Sequence, residues 1–245
     1  MITSSKTILL RSIDYQESSK IITVLCEKNG KVALMARGVK KPKNKLAGCI
    51  EVGNIIDVTY YYKPSRNIQT IKEASIGYQS LNFRKDFERA SILYATLELI
   101  AQLTHENEEN LEVFSFAESF IKWLGDSEFV HPSIFAYVQL RLSQIIGFGL
   151  IDDTTQENET VYLNISSGSI AHQPDSELSY KLTNLQSKFV TLVLNARNSE
   201  VFKLGLQNLE LKKLINHLDV YFKYHLDGYK ERRSDTIFEQ MMKVT

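Results

Sequence analysis

The segment RGVKKPKNK at residues 37–45 carries one arginine and four lysines in nine positions, with one proline and no acid. One interpretation of such a run is a solvated turn whose charge keeps the protein in solution. The other is a loop held out from a rigid scaffold to meet phosphates. Either way, the chemistry that this segment offers is the binding of an anion through its cations Arg37, Lys40, Lys41, Lys43 and Lys45.

Residue patterns that would indicate catalysis are absent from the sequence. There is no Gly-x-Ser-x-Gly elbow, and the basic segment lacks the Gly-Lys-Ser/Thr ending of a phosphate-binding loop. His217, Tyr221 and His225 are spaced for one helix face, but no acid or third histidine completes a metal site. Cys26 and Cys49 lie in apolar stretches, which indicates buried thiols. We predict no enzyme activity, metal or cofactor, and metal analysis would test the alternative of a metal-dependent enzyme.

Charge is divided unevenly along the chain. Residues 1–80 contain 13 Lys and Arg against 6 Asp and Glu, whereas residues 81–245 contain 16 against 23, and the net charge is zero. This split predicts two domains, 1–80 and 81–245, of which the first attracts anions although the molecule is neutral.

The apolar run before Arg11 is too short for a secretory signal, and Glu98 interrupts the most apolar later stretch. We therefore expect a cytoplasmic protein.

Short β-branched runs with turn residues between them occupy the first 75 residues, and they predict five strands. Asn29-Gly30 predicts a hairpin with a type I′ turn, in which both central residues have positive φ. A second hairpin is predicted at residues 63–67. Five antiparallel strands of this length favour a small closed barrel such as the oligonucleotide-binding (OB) fold.

After Tyr78 the apolar spacing becomes that of helices, which predicts an all-α bundle for the second domain. The predicted helices are residues 86–103, 110–124, 131–147, 182–196 with Thr183 as its cap, and 208–226. In the first of them, Phe87 and Tyr94 belong to the predicted buried stripe. Residues 152–177 are polar and predict an insertion with a short hairpin around Ser166-Ser167-Gly168.

Further cations of the first domain fall on its predicted hairpins, where loops of this fold meet single strands. Tyrosines offer stacking surfaces for bases, although alternation along a strand turns either Tyr61 or its two neighbours inward. The predicted cationic contacts are Lys28, Lys31, Arg66 and Lys72, and the candidate stacking residues are Tyr15, Tyr60 and Tyr62.

The sequence resembles the RecO family of bacterial recombination mediators. The resemblance begins with Tyr15, Glu17 and Ser19 and continues through Gly30 to a basic loop that ends in Leu46-x-Gly48. It extends through VQLRLSQIIGFGL at residues 138–150 and YHLDGYKERRSDTIFEQ at residues 224–240. Order and spacing agree over nearly the whole chain.

This resemblance implies an OB-fold DNA-binding domain followed by a helical domain, without a catalytic site. It implies binding of single- and double-stranded DNA, annealing of complementary strands, and work with RecR, often with RecF, to load RecA onto DNA coated by single-strand binding protein (SSB). Arg37, Lys40 and Lys41 match the family's DNA contacts by position, and Lys43 and Lys45 extend them on electrostatic grounds. A protein-interaction scaffold whose barrel does not bind DNA is the alternative.

The resemblance also implies roles in the second domain. Many family members hold zinc with four cysteines in the central insertion; residues 152–177 contain none, so the chain is similar to the zinc-free branch. The family receives the acidic C-terminal tail of SSB on its helical domain, and Arg141, on an apolar helix, is the candidate contact. Lys230, Arg232 and Arg233 are candidates for an additional DNA contact.

Overall fold

The computed structural model describes residues 1–155, 159–195 and 199–244, which divide into two compact units, Met1–Glu128 and Phe129–Thr245. The first unit contains five strands and three helices. The strands are β1 (Ile2–Tyr15), β2 (Ser19–Cys26), β3 (Gly30–Ala36), β4 (Ile55–Tyr61) and β5 (Ile68–Tyr78). The helices are α1 (Asn82–Lys85), α2 (Phe87–Leu103) and α3 (Leu111–Asp126). A division into domains after residue 80 stays a prediction.

The five strands close into a barrel in the order β1-β2-β3-β5-β4. All pairs are antiparallel except β3 and β5, which run parallel. A register shift between Leu9 and Arg11 marks a β-bulge in β1, so this strand bends and pairs with β4 through its first half and β2 through its second. A closed five-stranded barrel of this connectivity is the OB fold, which confirms the prediction.

Alternation of apolar residues along each strand builds the barrel core. In β3, Val32, Leu34 and Ala36 are buried, while Ala33 and Met35 between them are half-buried on the outer face. The loop from residue 37 to 54 contributes Val39, Cys49 and Ile50 to the same core. This loop therefore belongs to the barrel's packing although its cations face outward.

The predicted hairpin between β2 and β3 is present, but its turn is not of type I′. Only Gly30 has positive φ, at 60°, and Cys26 pairs with Gly30 across residues 27–29. A Cβ at Gly30 would also lie 1.8 Å from the carbonyl oxygen of Glu108. Glycine is required here because the backbone is left-handed and the segment between α2 and α3 approaches it closely.

Side-chain caps begin both long helices of the first unit. The Asp86 carboxylate accepts from the Arg89 amide at the start of α2, and Asn110 accepts from the Val113 amide at the start of α3, both at 3.0 Å. The predicted stripe of α2 was partly wrong, because Phe87 is 54% exposed and Tyr94 is 43% exposed.

The second unit contains four α-helices and one 3₁₀ turn in its described part: α4 (Ser133–Ile146), α5 (Asn184–Asn195), a 3₁₀ helix (Ser199–Leu204), α6 (Asn208–His225) and α7 (Asp235–Val244). The start of α5 is a capping box, since the Gln186 amide donates to Thr183 Oγ1 at 3.3 Å and the Thr183 amide donates to Gln186 Oε1 at 2.9 Å. This confirms Thr183 as the cap. The predicted last residue of this helix, Ala196, lies outside the described residues, and α7 was not predicted.

A four-stranded sheet of order β6-β8-β7-β9 covers the predicted insertion and extends beyond it on both sides, from residue 151 to residue 182. Its strands are β6 (Ile151–Asp152), β7 (Val161–Asn164), β8 (Ser169–Ala171) and β9 (Ser179–Leu182). The predicted hairpin is formed by β7 and β8, with Gly168 at φ 68° in the turn. Residues 156–158 of the predicted insertion lie outside the described residues.

Candidate nucleic-acid interface

The loop after β3 is fixed to the turn between β1 and β2. The Lys40 amide donates to the Ser18 carbonyl at 2.9 Å, and the Gly38 amide donates to Ser19 Oγ at 3.2 Å. Val39, between them, is 5% exposed and packs in the barrel core. The basic run is therefore held on the scaffold by its own backbone and one buried side chain.

Asn44 stabilises the rest of the run. Its Nδ2 donates to the Gly38 carbonyl at 2.8 Å, and its Oδ1 accepts from the Leu46 amide at 2.8 Å. Lys43 adopts a left-handed φ of 63°, which turns the chain between these two contacts. We call residues 37–45 the basic loop; its exposed cations are Arg37, Lys40, Lys41, Lys43 and Lys45. Because its backbone is internally bonded, binding a polyanion requires little ordering.

One acid lies among these cations. Lys40 Nζ is 2.8 Å from Asp14 Oδ2, and the side chains are 37% and 63% exposed. The hydrogen bond from Lys40 and its charge hold the pKa of Asp14 below its usual value. An exposed pair of this kind is weak and can exchange its partner for a phosphate. Sequence spacing alone did not reveal it, because Asp14 and Lys40 are 26 residues apart.

Tyr15 ends β1 beside the basic loop and is 40% exposed, so its ring is available to a base. The structure contradicts the same role for Tyr60, which is 0% exposed in the barrel core. Tyr62 is half-buried against that core. The residue that faces outward is Tyr61, at 46% exposed. Strand alternation predicted that Tyr61 and its two neighbours face opposite sides, but it did not predict which side is inward.

The cations of the hairpin between β2 and β3 differ in their surroundings. Lys28 is exposed in the turn. Lys31 Nζ donates to the Ala101 carbonyl at 2.7 Å, and burial lowers the pKa of Lys31, opposed by the charge of Glu106. A cation at the last turn of a helix stabilises the carbonyls there. Lys31 therefore makes a structural contact with α2, and we propose this role in place of the predicted DNA contact.

Arg66 and Lys72 are both exposed on the hairpin formed by β4 and β5. Gln69, 3% exposed, ties this turn together, because its Nε2 donates to the carbonyls of Lys63 at 3.0 Å and of Arg66 at 2.6 Å. Lys72 Nζ lies 3.5 Å from the exposed carboxylate of Glu73. The turn thus presents its cations from a rigid backbone, as the basic loop does.

In the second unit, Arg141 lies half-buried on α4 and hydrogen-bonds to Gln144 one turn later. Its neighbours Phe135, Val138 and Leu142 are buried in the core of the unit. Arg141 therefore offers a cation at the edge of an apolar helix face.

The cluster near the C-terminus separates into one buried and two exposed cations. Arg232 is 5% exposed; its NH2 is 2.7 Å from Asp219 Oδ2 and 2.8 Å from Asp235 Oδ1, and its guanidinium lies 4.7 Å from the Phe135 ring centre. Burial alone would lower the pKa of Arg232, but hydrogen bonds with Asp219 raise it overall. The structure contradicts its predicted DNA contact, since the buried guanidinium is bonded to two carboxylates and one of its faces lies against Phe135. Lys230 and Arg233 are exposed.

The two histidines considered for a metal site hold the inserted sheet on α6 instead. The rings of His217 and Tyr180 stack at 4.1 Å, and His225 Nε2 lies 2.8 Å from the Ile165 carbonyl oxygen. In the described ranges, no group of three or more His, Cys, Asp or Glu is arranged to hold a metal ion.

Among the helices in the described part of the chain, none is long and apolar enough to cross a membrane.

Comparison with known proteins finds similarity to the RecO family along nearly the whole chain. The family model "Recombination protein O N terminal" matches residues 1–79, and "Recombination protein O C terminal" matches residues 84–234. The DNA repair protein RecO of Chloroherpeton thalassium is 29% identical over 258 residues, which cover 99% of this chain and 100% of that protein. The DNA repair protein RecO of Chlorobium limicola is 32% identical over 148 residues, 60% of this chain and 57% of that protein.

Proposed function

The chain belongs to the RecO family, and from this premise we propose that it acts in DNA repair as a non-enzymatic recombination mediator. In this role it binds single- and double-stranded DNA, anneals complementary strands, and works with RecR, and with RecF, to load RecA onto SSB-coated single strands. Its relatives are named DNA repair proteins, which supports the repair role.

The observation that carries the proposal is the basic loop. Five exposed cations stand on a backbone that is bonded to the β1–β2 turn and anchored in the core through Val39. The field of such a loop acts locally, so it attracts a polyanion although the chain has no net charge. Phosphate contacts of this kind bind every sequence and weaken steeply with salt.

Annealing follows from phosphate neutralisation and requires no catalytic residue. Two complementary strands repel each other through their phosphates, and cations that screen this repulsion lower the cost of their encounter. Holding one strand on the barrel while a second binds raises the effective concentration of the pair.

The protein partners are proposed for other surfaces. The tail of SSB is acidic and ends in an apolar residue, so its receptor needs a cation beside an apolar face. Arg141 on α4 supplies the cation, and we assign the tail contact to it. RecR and RecF are assigned from family membership alone.

A protein-interaction scaffold is the second candidate function. The acids that stand beside cations of the barrel favour it, since Asp14 pairs with Lys40 and Glu73 with Lys72. On this hypothesis the exposed cations keep the protein in solution and meet acidic protein surfaces.

Annealing of complementary oligonucleotides precoated with SSB tests the proposal against this alternative. We expect the protein to accelerate annealing and expect the acceleration to fall when SSB lacks its acidic tail. Arg141→Ala should reduce annealing of SSB-coated strands and leave annealing of bare strands unchanged. A protein that accelerates neither reaction at low salt would favour the scaffold.

A further inference from the structure

Two exposed residues at the basic loop and the turn beside it have a backbone conformation that their side chains disfavour. Lys43 has a φ of 63° and Gln16 a φ of 53°, so both are left-handed. Side chains of this kind avoid that region because their Cβ crowds the following carbonyl oxygen. Among the residues that the structure describes, the one further residue besides glycine with positive φ is Asn107, and asparagine tolerates it.

Lys43 occupies the glycine position of a β-turn. The Asn44 amide donates to the Lys41 carbonyl at 3.3 Å, which closes a turn over residues 41–44. Pro42 fixes a negative φ at the second position, so the positive φ at the third position makes the turn type II. Such turns take glycine or asparagine at the third position. A lysine there is therefore disfavoured by the local backbone.

Hydrogen bonds on both sides of Lys43 impose this conformation. The Asn44 side chain donates to the Gly38 carbonyl and accepts from the Leu46 amide, both at 2.8 Å. The Lys41 amide donates to the same Gly38 carbonyl at 3.0 Å. Because residues 41 and 44 are both fixed, Lys43 cannot reach a relaxed φ without breaking some of these bonds.

Gln16 lies on the segment that supports the basic loop. It belongs to the turn between β1 and β2, two residues before Ser18, whose carbonyl accepts from the Lys40 amide at 2.9 Å. Ser19 Oγ then accepts from the Gly38 amide at 3.2 Å. The two strained residues therefore lie on two turns that are hydrogen-bonded to each other. Strain of this kind concentrates at functional sites, where the surrounding structure maintains it.

We propose that Lys43 and Gln16 contact the phosphate backbone of DNA, and that each is held in a strained conformation that aims its side chain at a phosphate and lowers stability. This inference rests on the proposed DNA-binding function and adds to it two positioned contacts, one of them uncharged. A lysine replaces a counterion of the phosphate. A glutamine amide donates a hydrogen bond to a phosphate oxygen without releasing a counterion.

Glycine at position 43 tests the strain and the charged contact together. Lys43→Gly should raise the midpoint of thermal unfolding by about 2 to 4 °C, because glycine adopts positive φ freely. It should also reduce the slope of log affinity against log salt for a single strand by about 0.7, because one phosphate contact is lost. Lys43→Arg should keep both the slope and the midpoint. Lys45→Gly removes a cation from the same loop where φ is not positive, so it should reduce the slope without raising the midpoint.

Glycine at position 16 tests the uncharged contact. Gln16→Gly should raise the midpoint by about 2 to 4 °C and weaken single-strand binding by about two- to tenfold, with an unchanged salt slope. Gln16→Ala removes the amide but keeps the strain, so it should weaken binding equally without raising the midpoint. Asn107→Gly is the matched control, because Asn107 has positive φ but bonds to the Lys31 carbonyl away from the basic loop. It should leave DNA binding unchanged.

The results that would overturn the inference are distinguishable. An unchanged or lower midpoint in both glycine variants would show that neither conformation is strained. A raised midpoint with unchanged DNA binding would show that the strain serves the packing of the two turns, and it would leave DNA binding by the other cations intact. A wild-type protein that binds no single strand at low salt would remove the proposed function, and this inference with it.

Discussion

Lys40 Nζ lies 2.8 Å from Asp14 Oδ2, so the most strongly basic segment of the protein holds an acid at its edge. The pair connects the basic loop to the end of β1, and both partners are exposed. A phosphate that binds Lys40 must compete with this carboxylate. If the basic loop binds DNA as proposed, the pair should lower its affinity for polyanions while it orients the lysine.

Asp14→Asn should tighten binding of single-stranded DNA by about two- to fivefold at low salt, because it removes the competing charge. Fluorescence anisotropy measures the change, and the gain should shrink as salt rises. Asp57→Asn is the matched control, since Asp57 is an exposed acid of β4. Weaker binding by Asp14→Asn would mean that orientation of Lys40 outweighs competition.

Lys31→Ala should destabilise the first unit and leave DNA affinity unchanged, because Lys31 Nζ holds the Ala101 carbonyl at the end of α2. We expect a loss of about 1 kcal/mol in the free energy of unfolding, measured by urea denaturation. Lys28→Ala, three residues earlier in the exposed turn, should not change stability. A drop in DNA affinity for Lys31→Ala at unchanged stability would return this residue to the interface.

Arg232→Ala should cost about 3 to 5 kcal/mol of stability, because Asp219 and Asp235 would lose the buried cation that both of them contact. Thermal and urea unfolding measure the loss. Arg233→Ala, at an exposed neighbouring position, should cost below about 1 kcal/mol. If the two variants unfold alike, the buried ion cluster does not stabilise the second unit.

Acid should weaken the hydrogen bonds that Asp175 accepts in the turns of the inserted sheet. Hydrogen bonds from Ser167, Ser176 and Ser179 hold the pKa of Asp175 below its usual 3.8. A carboxyl whose folded pKa is depressed stabilises the fold above its unfolded pKa, and this contribution disappears as pH falls through 3.8 toward the folded value. The protection factor of the Ser167 amide hydrogen, which donates to Asp175 Oδ2, should therefore fall in that window. Asp175→Asn should remove this pH dependence, and an identical dependence in the variant would contradict the assignment.

The sequence predicted the elements because short-range patterns determine them. Strand alternation and turn residues predicted the five strands of the barrel, and helical spacing with Thr183 predicted α5 and its N-cap. The hairpin of the insertion also followed from Gly168. The helix α7 was missed, and so was the turn geometry at Gly30, which depends on the approach of Glu108 from a distant segment.

The site was harder to predict because exposure depends on long-range packing. Lys31 and Arg232 were predicted to be surface cations, yet the fold places each against a partner on another element, Ala101 of α2 for Lys31 and Asp219 of α6 for Arg232. Phe87 and Tyr94 read as core residues but are exposed, since α2 buries other faces against the barrel and α3. Tyr60 and Tyr61 could not be distinguished until the strand register was known.

The salt dependence of single-strand binding tests the central claim most directly. If four to six cations of the interface meet phosphates, the affinity should fall by about 3 to 4 orders of magnitude per tenfold rise in salt. The variant Lys40→Ala/Lys41→Ala should weaken binding to every sequence and reduce that slope by about 1.4, because two phosphate contacts are lost. The variant Lys85→Ala/Lys122→Ala removes two exposed lysines from helices of the same unit and should keep the wild-type slope. A slope that is the same in all three proteins would show that the basic loop does not contact DNA.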